Sequence, residues 1–164
     1  MSNPSDGTTS NNSLNIATPV VQPASTIDVV ATVSDGGLPF TAGGQAAYTV
    51  TVRNVGTSPA SGVTTVHYPT PFPGMVASGT GWTCTASAVA DPTCTHSGEV
   101  AAGAALPPVT ITGTVPAQDV PVRVEAPVSV DNASDAFTGD NSIYLDTSIT
   151  PLPIDVVATV FDGG

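Results

Sequence analysis

The chain has 164 residues, in which thirteen acidic side chains face two basic ones, Arg53 and Arg123, with no lysine, for a formal charge of −11. A field of that sign makes nucleic acid and anionic membrane surfaces poor partners. Sixteen Gly and sixteen Pro break any helical period, and no apolar run approaches the roughly 20 residues needed to cross a bilayer, so neither helices nor a membrane-inserted segment is expected.

Taken in order, the chain opens on polar SNPSDGTTSNN, without the basic stretch and apolar core of a secretory signal; a signal peptide is expected upstream of this segment. Alternation then marks the strands. In IDVVATV (27–33), Ile27, Val29, Ala31 and Val33 share one face. In AYTVTVRNV (47–55), Tyr48, Val50 and Val52 oppose Thr49, Thr51 and Arg53. GVTTVHY (62–68) is a third, less regular strand. VTITGTV (109–115) turns Val109, Ile111 and Val115 inward against three threonines. In DVPVRVEAPVSV (119–130), six apolar residues from Val120 to Val130 have one parity, and Pro127 predicts a strand that lies at a sheet edge or is interrupted there, because proline donates no ladder bond. SIYLDTSI (142–149) closes the series with Ile143, Leu145, Thr147 and Ile149 on one side. Short alternating strands between Gly, Pro, Asn and Asp turns predict an all-β, two-sheet sandwich.

The beginning of the chain returns at its end. IDVVATVSDGG (27–37) recurs as IDVVATVFDGG (154–164), and NPSDGTTSNNSLNIAT (3–18) aligns with NASDAFTGDNSIYLDT (132–147), the second copy being two residues shorter before its IDVV. A period of about 130 residues means whole domains in tandem and not solenoid units of roughly 20–50. Residues 1–26 then read as the closing strand and linker of an upstream repeat, 27–150 as a complete repeat, and 151–164 as a linker and the first strand of the next.

The middle of the repeat carries a family resemblance. Val52 to Ala60 form a V-x-N-x-G-x-x-x-A element, followed by prolines from Pro69 to Pro73, the W-x-C of Trp82 to Cys84, a second cysteine at Cys94 and the T-I-T of Thr110 to Thr112. In that order these elements resemble the conserved-repeat domain of bacterial and archaeal surface proteins known as domain of unknown function eleven. The likeness covers most of residues 48–149, and the D-x-x-P element of that family is represented only by SNPSDG at the first seam. It implies immunoglobulin-like sandwiches strung along long secreted proteins in cell walls, surface layers and filaments. Architecture follows from such a likeness more than activity does.

Cys84 and Cys94 are the only cysteines. A hairpin turning near Asp91 and Pro92 would bring their α-carbons into disulfide range, and an even count in a repeat that looks extracellular favours the bridge over two buried thiols. A zinc site is short of ligands, with only His67 and His96 to supplement the pair.

Catalysis has little support. There is no G-x-S-x-G elbow, no cysteine beside a basic group, and only two glutamates, Glu99 and Glu125, so an enzyme is not expected. Calcium is the one cofactor the residues admit, at DNASDAFTGDN (131–141), where Asp131, Asp135 and Asp140 supply carboxylates without EF-hand spacing; a solvated interstrand loop is the preferred account of them. Trp82, Tyr68 and Phe72 would make a sugar-binding face if exposed and a packed sandwich end if buried. The reading is a structural repeat of a secreted or surface-anchored fibrous protein, a stalk or filament whose partner is itself, head to tail. The alternative is an adhesion module for a carbohydrate or a host or matrix ligand, through loops such as 69–81. Self-assembly has two routes. Leu14 and Ile16 match Ile143 and Leu145, and Ile154 and Val156 match Ile27 and Val29, so these terminal strands either complete neighbouring repeats in one covalent array or exchange between chains.

Overall fold

The computed structural model describes residues 26–85 and 92–153. Ten strands carry the architecture: β1 (Val29–Ser34), β2 (Phe40–Thr41), β3 (Gln45–Asn54), β4 (Val63–His67), β5 (Val76–Ser78), β6 (Trp82–Cys84), β7 (Thr93–Ser97), β8 (Val109–Thr114), β9 (Val122–Asn132) and β10 (Ser142–Thr150). The single helical feature among the described residues is a 3-10 turn at Thr138–Asp140. One sheet has the order β1-β3-β8-β5 and the other β2-β10-β9-β4-β7-β6. All pairings are antiparallel except β2 with β10, where Phe40 pairs with Ile149. This is an immunoglobulin-like two-sheet β-sandwich.

The period-2 pattern determines which side chains lie between the sheets. Tyr48, Val50 and Val52 from β3, Val109 and Ile111 from β8, Val29 and Ala31 from β1, and Ala126, Val128 and Val130 from β9 are all buried. Each valine or isoleucine among them, withdrawn from water, contributes about 1.5–3 kcal/mol. Phe40 meets Tyr48 edge to face at 5.3 Å, and Tyr68, Phe72 and Met75, from the segment crossing between sheets, fill the remaining volume.

The expected edge or interruption at Pro127 is corrected. Strand β9 runs unbroken and lies between β10 and β4. Val130 donates its N–H to Asn141, which makes 128 and 126 the residues that bond β10 and directs residue 127 the other way. On that side β4 pairs only as far as His67 with Ser129. Pro127 therefore occupies a stretch where one flank of an interior strand has no ladder partner, so its missing N–H leaves no ladder bond unmade.

Candidate functional site

The polar chemistry of the sandwich concentrates at its two ends. The upstream pole forms around Thr26. The backbone carbonyl of Thr26 accepts N–H bonds from Thr57 and Ser58, both 2.9 Å, and its own N–H donates to Thr57 Oγ1 at 3.0 Å. Behind this turn sits Asn54, fully buried at the end of β3. Its Nδ2 donates to the carbonyls of Ser58 at 2.8 Å and Val100 at 2.9 Å, while Oδ1 accepts from Gly56 N–H at 3.0 Å. Its backbone bonds Ala104 and Gly103. The partners are carbonyls on one side and an N–H on the other, so the chemistry itself orients the amide. One buried side chain thus ties together the end of β3, the 56–58 turn and the 100–104 loop.

Gly56 completes the clamp. A Cβ there would stand 2.5 Å from the Thr26 carbonyl oxygen and 2.9 Å from the Asp28 nitrogen; glycine lets the incoming chain pass. Ala60, fully buried, pairs with Val100 through two backbone bonds. The V-x-N-x-G-x-x-x-A element is thereby explained: Val52 faces the core, Asn54 holds the turn, Gly56 makes room and Ala60 fixes the far side.

The acidic segment packs against the same pole. Asp135 Oδ2 accepts from Val29 N–H at 3.2 Å and Oδ1 from Phe137 N–H at 2.9 Å, and Ala136 N–H reaches the Ile27 carbonyl. Asp131 turns instead to His67, with Nε2 to Oδ2 at 3.0 Å. Asp140 lies in the exposed 3-10 turn. Among the described residues no group of three or more His, Cys, Asp or Glu is arranged to hold a metal ion. Asp28 adds a constraint: one of its oxygens is buried without a hydrogen-bond partner. Burial, reinforced by the charges of Asp140 and then Asp135, pushes its carboxyl above the ordinary value.

The downstream pole receives the end of β10. Ala42 N–H bonds the Thr150 carbonyl, and Leu152 N–H bonds that of Gln118 at 3.2 Å. Near this end Thr147, fully buried, donates its hydroxyl to Asp35 Oδ2 at 2.8 Å, tying the closing strand to the turn after β1. Asp35 Oδ1 also caps Gly37 N–H, in a turn whose two glycines both have positive φ.

Cys84 and Cys94 form a disulfide with a Cα–Cα distance of 4.0 Å. They are directly opposed in the β6–β7 hairpin, and the bond from Thr85 N–H to the Thr93 carbonyl makes theirs the close, non-hydrogen-bonded kind of pair. The aromatics serve the interior. Tyr68 and Phe72 are buried, and Trp82 spends its indole N–H on the Pro107 carbonyl at 2.7 Å while meeting His96 edge to face. Tyr144, the most exposed ring among the described residues, stands opposite Pro127 on β9; its outward parity was legible in SIYLDTSI. Leu14, Ile16, Ile154 and Val156 lie outside the described residues.

No family model matches the chain, and no curated protein matches it. Among solved structures it is similar to the CARDB domain of a Pyrococcus furiosus protein. The solution NMR structure of that domain is 18% identical, with a TM-score of 0.47 over 77% of this chain and 97% of that one. Its crystal structure in complex with di-metal ions is 14% identical, with a TM-score of 0.47 over 80% and 100%. An ASH/PapD-like domain of human CEP192 is 13% identical, with a TM-score of 0.40 over 87% and 96%. At these identities no ligand, partner or activity passes from them to this chain.

Proposed function

We propose that the chain is a repeat unit of an extracellular or cell-surface fibrous protein of the kind its V-x-N-x-G, W-x-C and T-I-T elements resemble, in which such sandwiches follow one another along a stalk or filament. The observation that carries this is the placement of the two ends. The backbone docks at Thr26 on the pole formed by residues 54–58 and 135–137 and leaves at Leu152 on the opposite pole, beside Gln118. Copies joined at such ends extend an axis instead of folding back. With ten residues in β3 at about 3.3–3.4 Å each, a repeat adds roughly 35 Å. The disulfide suits an oxidising compartment, and the acidic surface resists side-by-side association. Catalysis has no place in this reading.

Small-angle scattering and electron microscopy on chains with one, two and three repeats test it. The maximum dimension should grow by a constant step of roughly 35 Å per repeat; chains that grow in width instead contradict it. Deleting residues 1–24 separates a covalent array from strand exchange. Under exchange the shortened chain stays monomeric where the whole chain assembles, and identical monomers leave only the array. A second reading, adhesion, draws on Tyr144, which borders a groove of about 200 Å³ with His67, Pro127 and Ser129. A glycan-binding screen abolished by Tyr144→Ala would favour it.

A further inference from the structure

We propose that consecutive repeats abut pole to pole with no free residue between them, forming a stiff junction; this rests on the tandem reading above. Leu152 is still docked on its own sandwich through its N–H to Gln118. In the repeat alignment Ile154 stands where Ile27 stands, so Pro153 takes the place of Thr26, the residue whose carbonyl accepts from Thr57 and Ser58. Proline lacks the N–H that Thr26 gives to Thr57 Oγ1 but keeps that carbonyl, so the two main bonds of the clamp persist. The last residue held by one sandwich and the first held by the next are thus neighbours in sequence, with α-carbons 3.8 Å apart. At that separation the two poles must touch.

Both poles are built for contact. The downstream one exposes Val120 (61%) and Leu152 (41%), and the upstream one Val55 (49%) and Phe137 (52%). These apolar side chains face solvent in a single repeat, and in the proposed junction a second copy covers them. Pro151 and Pro153 fix their own φ and hold Thr150 and Leu152 extended, which narrows the rotational freedom of the junction. The upstream seam supplies an internal contrast. There QPAST (22–26) stands in the place of PLP (151–153) and is two residues longer, so the two seams differ in length.

The test continues the intact 164-residue chain with a second copy of residues 38–153, so that 154–164 lead into a complete sandwich. NMR relaxation and residual dipolar couplings then report whether the two sandwiches share one tumbling time and one alignment frame. The expected result is a shared frame, lost when Ala-Ser is inserted after Leu152, with a fall in the tumbling time of both halves. Phe137→Ser in the second copy, with Val120→Ser in the first, should lower the melting temperature of the fusion but not that of the single chain carrying either change. Two folded sandwiches that tumble independently with the native junction overturn the stiff junction and leave the tandem reading standing. A second copy that does not fold, or that packs side by side with the first, overturns both.

Discussion

Replacing Asn54 by Asp preserves shape and reverses half the chemistry of the clamp. Nδ2 donates to the carbonyls of Ser58 and Val100 at 2.8 and 2.9 Å; an aspartate presents an oxygen to both. Two hydrogen bonds worth about 0.5–1.5 kcal/mol each are lost, while the Val100 carbonyl keeps the Ala60 N–H, so Asn54→Asp should destabilise the sandwich by about 1–3 kcal/mol. For a domain of this size that lowers the melting temperature by roughly 3–12 °C. The new carboxyl is buried beside two carbonyls, so its pKa in the folded state rises above the unfolded value near 3.9. The folded state then binds more protons than the unfolded one, and stability falls as pH rises through the folded pKa. Acidification from neutral pH toward about 4 should therefore narrow the gap between variant and parent, because the protonated acid regains one donor of the two. Other groups titrate in both proteins, so the difference between their melting curves, followed by circular dichroism, isolates position 54. An Asn54→Asp protein that melts with the parent, or a deficit that does not shrink on acidification, refutes the assignment of Asn54 as a buried double donor.

Reduction of Cys84–Cys94, or their joint replacement by Ser, opens a loop of sequence separation 10. Chain entropy puts the loss near 2.7 kcal/mol, seen as a lower melting temperature, and thiols that alkylate in the unreduced folded protein would contradict the bridge. Asp28→Asn should raise stability at neutral pH, because burial and the acids at 140 and 135 hold that carboxyl's folded pKa above its unfolded 3.8. Its ionisation therefore costs stability as pH rises through the folded value, and the gain over the parent should vanish once the pH drops below the unfolded value. Gly56→Ala should cost at least as much as a lost cap, about 1–2 kcal/mol, by driving a methyl into the Thr26 carbonyl; hydrogen exchange should show the amides of Thr57 and Ser58 losing protection first. Chelators should leave the melting curve unchanged, since both Asp135 oxygens accept backbone N–H bonds and Asp131 is turned to His67; a tight calcium site would instead add about 2.7 kcal/mol at a hundredfold excess over Kd.

Alternation alone determined most of the sandwich. The inward faces of β1, β3, β8 and β10 follow from period 2, because a strand between core and water has no other way to sort its side chains. The repeat, and with it the expectation of head-to-tail neighbours, is a property of the letters themselves. Local sequence did not determine where β9 sits. Pro127 argued for an edge or a break, and the strand is interior and continuous because β4 stops short of it, a fact that belongs to another part of the chain. The short strands β2, β5 and β6 have too few residues to show a period, and they exist because longer neighbours offer them ladders. The aromatics near Pro69 and Trp82 left two readings open, since composition does not say which side of a sheet a crossing segment covers; burial of Tyr68 and Phe72 chose the interior. Asn54 shows the division most clearly. Its spacing from Gly56 is visible in the sequence, but its role depends on the carbonyl of Val100, 46 positions away, and only the closing of the two sheets brings that partner within reach of its amide.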